Sequence, residues 1–332
     1  GLEHVKFENL GRVNLIMGGN NAGKTSILEA LALVHGNAAQ IKELPTTFRV
    51  LPNQDPDSTS IFWRSLVRGE NISGFSVNDG TYFYQGDSIN DTWRIREAII
   101  DEQVESVVVS ISPDGSVKLN KFVNKPRLCI LSTKQADPGS ISELYNRIAP
   151  LNPDNEDKIE DLLRNSIEPR LRRLRYAKPQ GTKTHLVYVD LGEGKMIPFT
   201  QMGQAFARTL QVYCEIFGQR PKMLLIDEIE NGLYYEGMED YWKGLMAVLE
   251  DQDVQLFATT HSRECMEAAY RAAKDMPNDP LRYLRLDRRI DRQHRVAVLD
   301  EVAEVAVFLV ADGRLEADRL LGDLQDLAHL FQ

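Results

Sequence analysis

Apolar residues along this chain follow two different spacings, and each spacing predicts one kind of element. Residues 13–17 form an apolar run of strand length, which is typical of a strand buried inside a sheet. Directly after it, apolar residues recur along one face of a helix over residues 25–34. Further strands are predicted at residues 185–191, 223–226 and 254–258, and further helices at 202–217, 236–249 and 264–273. Alternating strands and helices favour an α/β fold.

The middle of the chain carries the signals of antiparallel strands. Asn-Asp-Gly at residues 78–80 and Pro-Asp-Gly at residues 113–115 each separate two strand-like stretches, a pattern typical of β-hairpins. With a further strand at residues 127–131, they predict an antiparallel patch from about residue 70 to 131. Residues 141–176 are predicted to form a helical insertion, broken between Pro150 and Pro153.

We divide the chain at residue 286. Residues 1–286 are predicted to form one domain, which includes the antiparallel patch and the helical insertion. Residues 287–332 are predicted to form a hairpin strand and a helical extension, because residues 282–286 and 295–299 can pair and residues 302–330 are mostly helical in pattern. Alternation has already begun by Val5 and Phe7, so we expect a strand before Gly1.

Composition narrows the classes of function. The 332 residues carry a formal net charge of −10, which argues against a broad surface that coats nucleic acid. We find no signal peptide and no apolar run long enough to span a bilayer, so we expect a cytoplasmic protein without a membrane partner. The three cysteines are far apart in the sequence and are expected to be buried free thiols.

Charges are segregated at the two ends of the predicted helix that follows Pro153. Residues 154–157 are mostly acidic, and five arginines gather towards the end of the helix. Opposite charges at opposite ends match the helix dipole, which is one interpretation. The other is that the arginines contact a partner or nucleic acid. The arginines are Arg164, Arg170, Arg172, Arg173 and Arg175.

The stretch GGNNAGKTS, between the first strand and the first helix, has the spacing of a P-loop. Its glycines let backbone N–H groups wrap around phosphate oxygens, and the start of the helix adds positive partial charge. Lys24 would meet the outer phosphates, and the Thr25 hydroxyl would bind Mg²⁺. The sequence therefore predicts a site for ATP and Mg²⁺. The nucleotide-binding residues are Gly18, Gly19, Asn20, Asn21, Ala22, Gly23, Lys24, Thr25 and Ser26.

Two later strands end in groups that suit the same chemistry. Residues 223–226 are followed by Asp227, a predicted magnesium ligand, and by Glu228, which would polarise the attacking water. Glu230 is interpreted as a loop carboxylate. The next strand ends in the sequence ATTHS, which places His261 within reach of the γ-phosphate or its water.

These stretches together resemble the ABC-type ATPases. VNLIMGGNNAGKTSILEAL, LLIDEIENGL and ATTHS are most similar to the SMC/RecF-like group, and within it to the Overcoming-Lysogenization-Defect (OLD) type of bacteria and phage-defence systems. The resemblance spans residues 5 to 286. It implies an α/β ABC-type P-loop NTPase core with a flanking antiparallel β subdomain and a helical insertion. It also suggests Gln135 as the magnesium ligand from the glutamine-bearing loop of the family.

The resemblance further implies a signature segment that caps the γ-phosphate from a second subunit. The matching stretch is residues 198–205, in which Thr200 and Gly203 would contact the nucleotide. The family pattern has a serine and two glycines, whereas this chain has Gln201 and Ala205. Tyr234 stands where the family often has histidine. The resemblance therefore implies at least a dimer, with slow or partner-gated hydrolysis.

What the chain lacks bears on its partners. It has no long heptad run, and Asp287-Arg288-Arg289 does not match the DxD of a Toprim nuclease. The resemblance then implies the ATPase subunit of an anti-phage defence pair, which senses infection and controls a separate effector, a Toprim-type nuclease. A phage-encoded trigger is a further candidate partner. The alternative is a RecF-like DNA-repair ATPase that clamps duplex DNA; a transporter ATPase fits the motifs least.

Overall fold

The computed structural model describes most of the chain between Phe7 and Glu301. Nothing is described between residues 48 and 74, or after Glu301, so the predicted helical extension at residues 302–330 lies outside the described residues. For residues 74–109, 111–119 and 287–301 the description covers backbone pairing only. The described residues are 7, 9–19, 22–48, 74–78, 82–89, 92–99, 104–111, 117–119, 127–134, 136–178, 184–274, 276–277, 279–290 and 295–301.

Helices and strands alternate along these residues, with two groups of antiparallel strands between them. The helices are α1 (Lys24–His35), α2 (Ala38–Thr47), α3 (Pro138–Leu151), α4 (Asp154–Ser166), α5 (Gln204–Gln219), α6 (Met238–Asp251) and α7 (Arg263–Ala273). The strands are β1 (Val13–Gly18), β2 (Gly74–Asn78), β3 (Tyr82–Ile89), β4 (Thr92–Ile99), β5 (Val104–Ile111), β6 (Val117–Leu119), β7 (Leu128–Leu131), β8 (Arg173–Ala177), β9 (Leu186–Asp190), β10 (Met196–Pro198), β11 (Met223–Ile226), β12 (Gln255–Thr260), β13 (Leu281–Ile290) and β14 (Arg295–Glu301).

A six-stranded sheet forms the centre of the fold, in the order β14, β13, β1, β12, β11, β7. All neighbours are parallel except β14, which pairs antiparallel with β13 at the edge. Leu15 lies opposite Ala258, which lies opposite Ile226. The prediction that the strands ending at residues 17, 226 and 258 lie side by side is therefore confirmed. Their carboxyl ends meet at one edge, where open parallel sheets bind ligands.

Apolar residues of the central strands point alternately to two cores, as a period of two requires. In β12, Leu256 and Ala258 join the larger core, which includes residues of α3 to α7, while Phe257 joins the smaller core with α1 and α2. In β11, Leu224 and Leu225 divide in the same way. Helices cover both faces of the sheet, so its short strands β7 and β11 are apolar throughout, as is typical of parallel sheets.

The antiparallel patch forms a separate five-stranded sheet in the order β2, β3, β4, β5, β6. It contains both predicted hairpins and a strand, β4, that was not predicted. The patch ends at β6. The predicted inclusion of residues 127–131 was wrong, because β7 lies in the central sheet, parallel to β11. Its sequence, Leu-Cys-Ile-Leu, is apolar throughout, which suits a strand buried on both faces.

The helical insertion is shorter than predicted. Helices α3 and α4 are present, but α4 ends at Ser166, and residues 173–177 form β8 of a small antiparallel sheet with β9 and β10. Strand alternation exposes Arg173 and Arg175 and buries Leu174 between them. Since only Arg164 lies in the last turn of α4, the helix-dipole interpretation was wrong for the other four arginines.

Two expectations about the chain as a whole can be compared with the structure. All three cysteines are buried and free, as predicted, and burial raises the pKa of Cys265 to about 12. In the part of the chain that the structure describes, no helix is long and apolar enough to cross a membrane. Strand β13 runs across residue 286, and the predicted division of the chain there stays a prediction.

Candidate nucleotide-binding site

The glycine-rich loop leaves β1 in a conformation that depends on its glycines. Gly18 has φ +152° and Gly23 has φ +105°, values that disfavour residues with a side chain. A Cβ atom on Gly18 would lie 2.6 Å from the carbonyl oxygen of Leu286 in β13. The loop can therefore turn beside β13 only without a side chain. Gly19, Ala22, Thr25 and Ser26 belong to the same turn and helix start, whereas Asn20 and Asn21 lie outside the described residues.

Lys24, the first residue of α1, places its ammonium group inside this loop. Its Nζ atom donates hydrogen bonds to the carbonyl oxygens of Gly18 at 2.7 Å and Gly19 at 3.0 Å. Burial lowers the pKa of Lys24, an effect opposed by the nearby carboxylates of Asp227, Glu228 and Glu230. A buried cation at the mouth of a glycine-rich loop suits the binding of phosphate oxygens.

Asp227 lies directly after β11 and is held by its neighbours. Its Oδ1 atom accepts a hydrogen bond from the Thr259 hydroxyl at 2.6 Å and lies 3.4 Å from Oγ1 of Thr25. A carboxylate and a hydroxyl side by side are ligands that Mg²⁺ accepts together with water and phosphate oxygens. Among the described residues, no group of three or more His, Cys, Asp or Glu could hold a metal. The oxygen atoms of Asp227 and Thr25 suit Mg²⁺ whose other positions are filled by water and phosphate oxygens.

Glu228 and His261 face each other at the end of β11 and β12. Glu228 has φ +50°, a conformation that costs a residue other than glycine about 1–3 kcal/mol and that clusters at functional sites. Its Oε1 atom lies 3.6 Å from Nε2 of His261. The other ring nitrogen, Nδ1, lies 3.2 Å from Nζ of Lys24. Because the lysine ammonium can only donate, Nδ1 accepts, and the ring proton lies on Nε2, towards Glu228.

Helices α1 and α5 begin differently from the other described helices. Each starts after a glycine with positive φ, Gly23 or Gly203, and has neither a side-chain cap nor an acidic residue in its first turn. In contrast, Asn37, Asp137 and Ser262 cap α2, α3 and α7, and acidic residues occupy the first turns of α4 and α6. No described side chain caps the first N–H groups of α1 or α5, and uncapped N–H groups at a helix start suit an anion.

The predicted signature segment lies at the start of α5. Thr200 and Gly203 are exposed, and a Cβ atom on Gly203 would meet nothing within 4 Å. Neither residue makes a hydrogen bond to the described residues of the glycine-rich loop, so their predicted contact with the nucleotide stays a prediction. Gln135, the remaining predicted metal ligand, lies outside the described residues.

Two residues that were not predicted to take part in the site, Thr259 and Glu230, belong to this edge of the sheet. The Thr259 hydroxyl donates to Asp227 and accepts the N–H of Glu228 at 2.8 Å. Oε1 of Glu230 accepts the N–H of His261 at 2.8 Å. A hydroxyl at the end of the strand was visible in the sequence, but its pairing with Asp227 depends on β11 and β12 being neighbours.

Known proteins and solved structures resemble this chain over most of its length. A relative in Helicobacter pylori named "ATP/GTP phosphatase" is 22% identical over 313 residues, which cover 80% of this chain and 83% of that protein. The structure of an SmcHead bound to the C-winged helix domain of ScpA matches with a TM-score of 0.46 and 12% identity, covering 88% of this chain and 91% of that chain. The SMC head domain from Thermotoga maritima matches with a TM-score of 0.41 and 14% identity, covering 88% and 91%.

A family model described as "AAA domain, putative AbiEii toxin, Type IV TA system" matches residues 13–267. These residues include the glycine-rich loop, Asp227 and His261, and they make up more than half of the chain. The protein is a P-loop ATPase that belongs to this AAA-domain family.

Proposed function

We propose that this ATPase hydrolyses ATP with Glu228 as the base that polarises the attacking water. The observation that carries the proposal is the convergence of Lys24, Glu228 and His261. Nδ1 of the imidazole lies 3.2 Å from Nζ of Lys24, and Nε2 lies 3.6 Å from Oε1 of Glu228. Lys24 binds the outer phosphates, Glu228 takes the proton of the water, and Nε2–H of His261 donates to a γ-phosphate oxygen or the water. The side chain of Glu228 is 41% exposed, so water reaches it.

Magnesium fits the same proposal. Thr25 and Asp227 would hold Mg²⁺, which supplies positive charge for the phosphate oxygens when it is bound. The chain itself contributes the fixed positions of these two residues. Thr25 lies in the first turn of α1, and Asp227 is fixed by Thr259 and by its own N–H, which donates to the carbonyl oxygen of Leu131 at 2.9 Å.

The open start of α5 supports assembly into at least a dimer. We propose that Gly203 of one subunit faces the Lys24 site of another, so that the uncapped N–H groups of α5 contact the γ-phosphate. Gly203 is kept, but Gln201 and Ala205 near it depart from the family pattern of a serine and two glycines, which favours a slow or partner-gated reaction. ATP would then hold an assembled state for longer than a rapidly cycling enzyme would.

For the biological role, we propose the ATPase subunit of a bacterial anti-phage defence complex that senses infection and controls a separate effector. Its family description names a "putative AbiEii toxin, Type IV TA system", and this supports a role together with a second component. The OLD-type motifs suggest that the effector is a Toprim-type nuclease. Co-purification of the chain with the product of a neighbouring nuclease gene, in the presence of ATP, tests the pairing.

The alternative, a RecF-like ATPase that clamps duplex DNA, depends on the arginines between residues 164 and 175. Arg173 contacts Asp157 at 2.6 Å and Glu160 at 2.9 Å, and Arg170 contacts Glu168 at 3.0 Å. Charges already paired within the chain contribute less to phosphate binding. A duplex-DNA titration at several salt concentrations decides: a steep salt dependence favours the clamp, and no binding favours the defence pair.

Substitution of Glu228 tests the proposed chemistry. Glu228→Gln keeps the size of the side chain but cannot take a proton, so turnover should fall about 100-fold or more while ATP stays bound. Phosphate release and ATP binding, measured on the same protein, separate the two effects. Glu236→Gln is the matched control, because Glu236 is an exposed carboxylate that accepts a hydrogen bond from the hydroxyl of Tyr235 at 3.0 Å. Normal turnover in Glu228→Gln would show that another group is the base.

A further inference from the structure

Glu230 connects the two loops that carry Glu228 and His261. It is half-buried, and its Oε1 atom accepts the backbone N–H of His261 at 2.8 Å. The same loops are joined by the N–H of Ile229, which donates to the carbonyl oxygen of Thr259 at 3.0 Å, and by the N–H of Glu228, which donates to the Thr259 hydroxyl at 2.8 Å. Of these three bonds, the one made by Glu230 is formed at His261 itself.

The bond matters because the imidazole has little freedom if it is to keep both of its neighbours. Nδ1 of His261 lies 3.2 Å from Nζ of Lys24, and Nε2 lies 3.6 Å from Oε1 of Glu228. His261 comes directly after the end of β12, so its backbone is no longer held by the sheet. A charge-assisted hydrogen bond from its own N–H restores that restraint.

The geometry points to Glu230 as a positioning residue, which fixes the backbone of His261 so that the imidazole stays between Lys24 and Glu228. The inference deepens the proposed ATP hydrolysis and rests on it. Glu230 acts through His261 and touches no reacting atom. It replaces the sequence-based interpretation of Glu230 as an ordinary loop carboxylate.

A second observation distinguishes Glu230 from a residue that only packs. Among the described residues, nothing forms a hydrogen bond with its other oxygen, Oε2, which is buried. A buried acceptor without a partner is unfavourable, and groups that keep one in a native structure usually do so for a reason other than packing. Here the reason is the bond of Oε1 to the N–H of His261, which holds the carboxylate in this position.

The negative charge of Glu230 also raises the pKa of Lys24, and this electrostatic effect must be separated from positioning. Glu230→Gln keeps a carbonyl oxygen that can accept the N–H of His261 but removes the charge. Glu230→Met has similar length and removes both. Positioning predicts that Glu230→Gln retains most of the turnover and that Glu230→Met loses it, whereas a purely electrostatic role predicts that both variants lose it.

A double-mutant cycle with His261 tests the inference by kinetics. Glu230→Met should lower kcat about 10-fold or more with little change in KM, because the bond holds the imidazole and not the nucleotide. In a His261→Ala background, adding Glu230→Met should change kcat less than about 2-fold. Additive losses would overturn the inference, as would equal losses in Glu230→Gln and Glu230→Met. Should Glu230→Met fail to fold, Glu230→Ala replaces it in the same cycle.

Glu264→Ala is the matched control for that cycle. Glu264 is an exposed carboxylate that accepts a hydrogen bond from the Ser262 hydroxyl at 2.8 Å, beside His261 but without a bond to its N–H. Its removal should leave kcat and KM unchanged. A loss equal to that of Glu230→Met would mean that any carboxylate in this loop has the same effect, and would overturn the inference.

Nitrogen-15 NMR of the histidine rings gives a readout that does not need turnover. The chain has six histidines, and His261→Asn assigns the signal of His261. The unprotonated Nδ1 and protonated Nε2 expected for His261 should persist in Glu230→Gln and become averaged in Glu230→Met. An unchanged ring signal in Glu230→Met would overturn the inference. A changed ring signal in a protein that hydrolyses no ATP would instead overturn the proposed function and leave the positioning of His261 standing.

Discussion

Helices α1 and α7 start at the same edge of the central sheet, but the residues just before them serve different purposes. Ser262 precedes α7, and its Oγ atom accepts the N–H of Cys265 at 3.0 Å, so one of the first N–H groups of the helix already has a partner. Gly23 precedes α1 and has no side chain, so among the described residues no side chain caps the first N–H groups of that helix. A capped start contributes stability, whereas an uncapped start leaves hydrogen-bond donors for a ligand. The start of α5 at Gly203 belongs with α1.

The largest effect should come from Lys24, which distinguishes α1 from α5. Lys24→Ala removes the one charged side chain of the sequence GGNNAGKTS, which we propose binds the outer phosphates, so ATP affinity should fall about 100-fold or more. Titration with a fluorescent ATP analogue measures the loss. Ordinary affinity in Lys24→Ala would mean that the open N–H groups of α1 suffice, and that α1 and α5 are equivalent.

The next effect tests whether the start of α5 in one subunit contacts the nucleotide bound to another subunit. Gly203→Asp adds a carboxylate that can cap α5 and repel a phosphate, so turnover should fall about 10-fold or more while ATP still binds. Light scattering with ATP should show a dimer of the parent protein that the variant does not form. Gly194→Asp is the control, because Gly194 also has positive φ, +75°, and open space around it. A monomer whose turnover is unaffected by Gly203→Asp would exclude this use of α5.

A smaller effect is expected at a capped start. The side chain of Asn37 accepts the N–H of Gln40 at 3.0 Å, and the side chain of Gln40 accepts the N–H of Asn37 at 3.0 Å. Asn37→Ala should therefore lower the free energy of unfolding by about 1 kcal/mol, with ATP affinity unchanged. Urea denaturation and nucleotide titration of the same protein measure both. If ATP affinity changed as well, capped and uncapped starts would not have separate purposes.

The smallest effect concerns pH. Burial lowers the pKa of Lys24, so its ammonium loses the proton at a lower pH than an ordinary lysine does. ATP affinity should therefore decline by a few-fold as the pH rises towards that lowered pKa, where part of the Lys24 ammonium has lost its proton. Titrations at a series of pH values follow the change. The residual binding of Lys24→Ala should lack the dependence; its persistence there would assign it to another group.

Much of the central sheet and its site could be predicted because each motif follows an apolar strand. Strands 13–17, 223–226 and 254–258 are short and consist mostly of apolar residues, which indicates parallel strands, and polar groups after such strands meet at one edge. Two local signals were available but were not used. Asn37 and Gln40 have the spacing of a capping box, which marks α2, and Arg-Leu-Arg over residues 173–175 alternates as strand β8 does.

The remaining differences could not be predicted, because they depend on contacts between distant residues. Nothing in residues 128–131 specifies β11 as their neighbour, and a hairpin pattern just before them favoured the antiparallel patch. The bond between Glu230 and His261 joins loops on two different strands, so its existence depends on the order of strands in the sheet. Local spacing predicts which groups reach the edge, but the pairs they form follow from the topology.

The buried cysteines make the protein convenient to label. Burial raises the pKa values of Cys129, Cys214 and Cys265, so at neutral pH these thiols react slowly with maleimides or iodoacetamide. A cysteine placed at an exposed position, such as Tyr234, which is 64% exposed, would then carry a fluorophore or spin label without prior removal of the native thiols. The loop after Glu230 could be followed during nucleotide binding in an otherwise unaltered chain.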